Sequence, residues 1–339
     1  MEIRRVQITG GSSYIITLPK EWIKSRHIKK NDPLGIHIQS DGTLLLTPKI
    51  TQEQLHRIKE FDVSRIPKST YLLQLLIGAY IAGYSSIIIT SPSRMSTAVR
   101  NVILSFTQLA IGPEVIEETD TSMILKDLHN PIEMPIDRTI KRMHIIVKGM
   151  NEDVMRVLQT NDSPLTDDVR SRDNDVDRLH WLVARQYNIL LQNANLAEKM
   201  NITIGMASTG FLISRIIERI GDHVVRIAQN VPNLIENNLD RKIIDKICTA
   251  SSLSLDIFNK SISSFFKKDI KASNETMESV VKLESLCEEI NTLALQQKGI
   301  VAVSIGYIVE SIRRIGEYAE DISENVINYL VTEEQKAPI

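Results

Sequence analysis

Two pairs of acids stand four residues apart in the C-terminal part of this chain, Asp173 with Asp177 and Glu218 with Asp222. On a helix that spacing places two carboxylates one turn apart on the same face. Carboxylates ~6 Å apart repel by about 3 kcal/mol at an effective dielectric near 20, so a convergent set of four needs metal, protons or arginine. All-oxygen donors favour hard ions, Mg²⁺, Mn²⁺ or Ca²⁺, admit iron and disfavour thiophilic metals. A single such pair reads more simply as a solvated helix face. Here the pattern recurs: Glu284 and Glu288 form a further pair, and Glu317 is followed one turn on by Asp321.

The recurrence belongs to an internal repeat. Glu218-Arg219-Ile220-Gly221-Asp222-His223 is echoed by Arg313-Arg314-Ile315-Gly316-Glu317-Tyr318, a shift of 95 positions from 218 to 313. Ile227, Asn230 and Val231 return at the same shift as Ile322, Asn325 and Val326. Arg313 stands where the first copy has Glu218, and a fixed cation there opposes a bound metal or substitutes for it. From Pro135 onward the pattern predicts six helices in two sets of three. The breaks fall near Asn161–Thr166, Asn193–Ile202, Pro232–Asn238, Lys267–Lys271 and Lys298-Gly299. The third helix places Ile213, Ile216, Ile217, Ile220, Val224, Ile227 and Val231 on one apolar stripe.

An enzyme of the carboxylate-bridged di-iron kind needs Glu-x-x-His on two core helices. The one such spacing, Glu53 to His56, precedes the helical half, and Asp177 to His180 is a single weaker echo. Neither a Ser/His/Asp nor a Cys/His arrangement stands out. The reading is therefore a regulator, with a carboxylate-bridged metalloenzyme or metal-storage bundle as the alternative.

The first fifty residues differ in charge. They carry eight Lys or Arg against four Asp or Glu, a net +4, so the remainder holds −6 of the whole-chain −2. Alternation over Arg5–Thr9 and Tyr14–Leu18, split by Gly10 to Ser13, predicts two strands. Lys20 to Arg26 follows Pro19 as a short helix, and Leu34–Gln39 and Thr43–Thr47 close as a hairpin across Asp41-Gly42. So small a β-β-α-β-β unit buries little surface alone, which implies a dimer or higher homo-oligomer. Arginine holds phosphate bidentately, so adjacent Arg4 and Arg5 are the leading DNA contacts. Edge-strand lysines that merely keep a surface soluble are the competing explanation.

Between the two parts, residues 51–130 predict a small α/β layer. Its elements are a charged helix at Thr51–Asp62, helices at Thr70–Ala82 and Met95–Leu109, and strands at Ser85–Thr90, Glu114–Glu118 and Met123–Lys126. It contains no Gly-Lys-Ser/Thr phosphate loop, and a spacer that packs the dimer is the expected role.

Three resemblances follow from these residues. "IRRV…IITLPKEWIKSRHIKKNDPLGIHI…DGTLLLTP" resembles the AbrB/SpoVT swapped-hairpin family. That likeness implies interleaved dimers that bind DNA through Arg4 and Arg5, and through Lys20 and Lys24 around the Leu-Pro turn. The loop Gly10-Gly11-Ser12-Ser13 lacks the arginine many relatives carry. An antitoxin-like role also uses this fold. "YLLQLLIGAYIAGYSSIIIT…IGPEVIEET…MILKDL" resembles the connector of archaeal AbrB–PhoU fusions. "ERIGDH" with its copy "RRIGEY" resembles PhoU, a family of two three-helix bundles whose acids bind metal ions or small clusters. It implies metal ligation by Asp173, Asp177, Glu218 and Asp222, and in the second half by Glu284, Glu288, Glu317 and Asp321. It also implies an adaptor that restrains a phosphate ABC transporter, with its ATPase subunit or a partner regulator as protein partner.

The expected architecture is thus mainly α: a swapped-hairpin β domain at 1–50, an α/β connector at 51–130 and a PhoU-like six-helix domain at 131–332. With 42% hydrophobic, 24% charged and only 5% aromatic residues, the composition fits soluble, aliphatic, helix-rich packing. Cys248 and Cys287 match neither metal-knuckle nor disulfide spacing, which fits a reducing cytoplasm. The start, with Glu2, Arg4 and Arg5, does not read as a signal peptide, and Leu72–Thr90 is too interrupted to span a membrane.

Overall fold

The computed structural model describes residues 2–38, 42–48, 57–160 and 165–334. The chain divides into two units, Met1–Gln54 and Leu55–Ile339.

In the first unit, β1 (Gln7–Thr9) pairs antiparallel with β2 (Ser13–Ile15). Gly10 and Gly11 make the turn at φ +61° and +81°, where a Cβ would be strained. Pro19 ends the ladder, and α1 (Lys20–Ser25) follows it. The hairpin of β3 (Gly35–Ile38) and β4 (Leu44–Thr47) completes the unit. None of its described residues is buried. Ile8, Tyr14, Ile36, Ile38 and Leu44 are all more than half exposed. Two isolated two-stranded ribbons with apolar side chains in water are at best marginally stable.

The second unit opens with a difference from expectation. Instead of a helix at Thr51–Asp62, its described part forms strand β5 (Ile58–Asp62), while residues 51–56, with Glu53 and His56, lie outside the described residues. Parallel pairing with β6 (Ser86–Thr90) overrides the helical propensity of this short charged run by burying part of Phe61. The sheet continues with β8 (Ser122–Asp127) and β7 (Pro113–Glu118), in the order β5-β6-β8-β7. Helices α2 (Ser69–Ile81) and α3 (Thr97–Leu109) cover it. Leu72, Leu76, Ile89, Ile103, Phe106 and Met123 form this layer's core.

The remaining helices are α4 (Ile136–Thr160), α5 (Leu165–Leu190), α6 (Ala194–Lys199), α7 (Ile204–Glu236), α8 (Arg241–Lys267), α9 (Ile270–Ala294) and α10 (Gly299–Glu334). Six long helices thus form the two expected sets of three, α4-α5-α7 and α8-α9-α10, around one continuous apolar core. Two breaks differ from expectation. The Asn193–Ile202 break contains the single-turn α6, started by Asn193 accepting a hydrogen bond from the Leu196 amide. Pro232 does not end α7, which runs on to Glu236. So near a helix end the proline forfeits one backbone bond, and burial of Val231 and Leu234 on either side offsets that loss.

The most buried polar tie between the α/β layer and the bundle is made by Arg185. Arg185 of α5, 3% exposed, donates through Nε and Nη2 to Asp127 Oδ2 at 2.9 and 2.6 Å. Its Nη1 also donates to the Tyr80 carbonyl, and its guanidinium lies 4.8 Å from the Tyr80 ring. Gly112, at φ +103°, leaves room for the Asp127 carboxylate that any Cβ would fill. Trp181, one turn before Arg185, packs on the layer's core. Among the described residues no helix is long and apolar enough to cross a membrane.

Candidate functional site

The packing of α5 against α7 brings the four first-half acids together. Asp173 and Asp177 occupy one face of α5, and Glu218 and Asp222 one face of α7. Gly221 makes the approach possible. A Cβ there would stand 3.2 Å from Asp173 Oδ1 and 3.6 Å from Val147 Cγ2, so the missing side chain is the cradle in which the Asp173 carboxylate lies.

Electrostatics report the crowding. Burial pushes Asp173 up to about 6, with the Asp222 charge adding to it. Burial pushes Asp177 up to about 7, reinforced by Asp173, Glu218 and Asp222. Glu218 and Asp222 are raised for the same first reason, burial, against the opposing pull of Arg215 and Arg219 on Glu218 and of Arg219 and Arg226 on Asp222. Carboxylates raised in this way keep their protons to a higher pH than usual or take up a cation in their place. Among the described residues no group of three or more His, Cys, Asp or Glu is placed so that it could hold a metal ion. The four acids are neighbours on two facing helices, a donor set suited to hard cations, and not a finished cage.

The second half is built differently. The carboxylate of Glu317 is held by Arg313 and by Arg314 at 3.0 Å, and both arginines also grip Glu310. Arg313 thus occupies the place of the missing acid and neutralises its neighbours from within one helix. Leu283, not a carboxylate, fills the space over Gly316. Burial raises Asp321, helped by Glu324 and Glu317 and opposed by Arg219 of the first repeat. Glu284, Glu317 and Asp321 all act on Glu320, which burial raises first. Glu288 is exposed.

Two residues beside the quartet escaped sequence reasoning. His223, next to Asp222, stands with its ring 5.6 Å from Tyr318 of the other repeat. Burial depresses it to about 4, with Arg226 and Arg314 adding to the effect. Arg219 lies 5.8 Å from the same Tyr318 ring. His180 stays off the acidic face: it stacks on Phe211, with ring centroids 6.0 Å apart, and meets Ser214 Oγ at 3.1 Å. In the first unit Arg4, Arg5, Lys20 and Lys24 are all exposed. Arg4 pairs with Glu2 at 2.7 Å, an exposed contact worth little and easily exchanged for a phosphate.

Two three-helix repeats of one design, with facing acid pairs in the first and a small β-ribbon unit preceding them in sequence, define a repeat-built helical protein. The chain belongs to the PhoU domain family, which it matches over residues 140–231 and again over 247–326, together just over half its length. Residues 7–53 match the family described as antidote-toxin recognition MazE, bacterial antitoxin, a MazE/AbrB-like domain. Among solved structures the chain is similar to PhoU from Pseudomonas aeruginosa, at 19% identity and a TM-score of 0.52, over 60% of this chain and 99% of that one. It is also similar to the phosphate transport system regulatory protein PhoU from Streptococcus pneumoniae, at 17% identity and a TM-score of 0.49, over 58% of this chain and 94% of that one. No curated protein sequence matches it.

Proposed function

We propose that this protein is a DNA-binding regulator of phosphate uptake and phosphate homeostasis. In this reading the N-terminal unit binds promoter DNA as a dimer, and the PhoU repeats act as a metal-binding sensor or adaptor rather than an enzyme. The observation that carries it is the joining, on one chain, of a MazE/AbrB-like unit to two PhoU repeats. The first unit has no buried residue among those described, and its exposed apolar strands fit a second copy of the same segment. Its net positive charge and exposed Arg5 suit a phosphate backbone. Asp173, Asp177, Glu218 and Asp222 would hold Mg²⁺, Mn²⁺, Ca²⁺ or iron, which would relieve their mutual repulsion. A phosphate ABC transporter ATPase subunit is the partner class that fits the bundle.

Titration of promoter fragments against the full-length protein at several salt concentrations tests the DNA contact. Arg4→Ala with Arg5→Ala should flatten the plot of log affinity against log salt by about 0.9 for each phosphate that the two arginines neutralise in the wild type. An unchanged slope and affinity would reduce the first unit to a dimeriser. The MazE match favours one second reading, an antitoxin-type regulator, in which a toxin protein and not DNA alone would occupy the first unit.

A further inference from the structure

The segment after residue 50 carries a net negative charge, yet one end of its bundle is strongly basic. Helix α4 exposes Arg138, Lys141 and Arg142 at i, i+3 and i+4, on one face. Helix α8 runs antiparallel to it. His144 Nε2 lies 2.7 Å from Asn259 Oδ1, and Asn151 Nδ2 donates to Ser251 Oγ at 3.1 Å, so the start of α4 meets the end of α8. There the Lys141 ammonium stands 5.3 Å from the Phe266 ring. Lys267 and Lys268 follow directly, both exposed, the latter turned away from the helix at φ +55°.

Among the described residues none of these five cations forms an ion pair. The ion pairs around them use Lys148, Lys260 and Lys271. That leaves Arg138, Arg142, Lys267 and Lys268 without a carboxylate partner among the described residues. Of the acids close in sequence, Asp269 is engaged as the cap of α9, accepting from the Ala272 amide at 2.9 Å, and Asp137 is exposed.

We propose that this face, Arg138, Lys141, Arg142, Lys267 and Lys268, is a second, sequence-independent contact surface for the phosphate backbone of duplex DNA. The proposal rests on the DNA-binding reading of the first unit. Its chemistry is that of non-specific nucleic-acid contacts: clustered Arg and Lys, with arginines able to grip phosphate through two parallel N–H donors. A membrane surface has the same charge, but an interfacial helix adds an exposed apolar face to its cations. On α4 that face is turned into the core, with Ile140, Met143, Val147 and Met150 all fully buried, and Ile145 is its one strongly exposed aliphatic side chain. Duplex DNA is the anionic polymer that the proposed function already assigns to this chain.

The test compares full-length wild type with the variant Arg138→Gln, Arg142→Gln, Lys267→Gln. The probes are a promoter duplex, a random duplex of equal length and vesicles of phosphatidylglycerol. All three side chains are exposed, so an unchanged melting curve is expected and serves as the folding control. The variant should weaken promoter and random DNA alike and flatten the salt slope by about 2.7, for three phosphates at about 0.9 each. Between about 50 and 200 mM salt, the fall in affinity should then be roughly 40-fold smaller than in the wild type. If the variant keeps the wild-type slope while Arg4→Ala with Arg5→Ala flattens it, the proposal is overturned and the first unit's role stands. If wild type binds neither duplex, the DNA reading fails and takes this surface with it. Loss of vesicle binding with DNA binding intact would make the face a membrane surface and refute the proposal.

Discussion

Asp177→Asn should stabilise the metal-free protein at pH 8 and leave it without the further stabilisation that Mg²⁺ or Mn²⁺ gives the wild type. Asp173 and Asp177 are pushed up to about 6 and about 7 from an ordinary 3.8. A carboxyl raised on folding binds its proton more tightly in the folded state. Its contribution is therefore complete below pH ~3.8 and is lost as pH rises through 6 to 7. Both groups are partly solvated, so screening reduces the effect, and asparagine should gain about 1–2 kcal/mol at pH 8. In a unit of this size that is a rise of ~2–4 °C in Tm per kcal/mol. A bound divalent ion acts in the opposite sense: at about 100 times its Kd it should stabilise the wild type by about 2.7 kcal/mol. Thermal scans at pH 5 and pH 8, with and without metal, decide between a crowded site and a solvated face. Wild type that is indifferent to both pH and metal would return the quartet to the latter.

Arg185→Met should cost about 3–5 kcal/mol. The guanidinium is 4% exposed and the Asp127 carboxylate 10%, so removing the cation leaves an anion in a nearly dry site beside Tyr80. Asp127→Asn in the same background should recover part of the loss, because it removes the stranded charge while Gly112 still leaves room for the amide. Urea unfolding of the single and double variants measures both terms. A loss below about 1 kcal/mol for Arg185→Met would show that water reaches the pair. Since α5 also carries Asp173 and Asp177, this tie connects the candidate site to the layer through one rigid helix.

How much of this was readable beforehand depended on whether local pattern or tertiary contact decided the outcome. The six long helices follow from apolar periodicity, and the two-fold repeat from the copied Ile-Gly-acid run at 220–222 and 315–317, because both are local signals. The strand at Ile58–Asp62 was hidden. Its charges suit a helix, and only its partner β6, 28 residues on at Ser86, makes it a strand. Pro232 reads as a stop, yet its neighbours' burial carries α7 past it. At the site, spacing alone located the acids, but not that Gly221 admits Asp173 while Gly316 admits Leu283. The tie between Arg185 and Asp127 joins positions 58 residues apart and has no signature in either segment. Arg313 was the exception: its replacement of an acid in the repeat foretold the neutralised second half, where it holds Glu310 and Glu317.

Regulation of phosphate uptake at promoters is tested most directly by sequencing the DNA cross-linked to the full-length protein in phosphate-rich and phosphate-starved cells. Promoter regions of phosphate-uptake genes should be enriched, and their enrichment should change between the two conditions. Recovery of DNA indistinguishable from an untagged control in both conditions would contradict it.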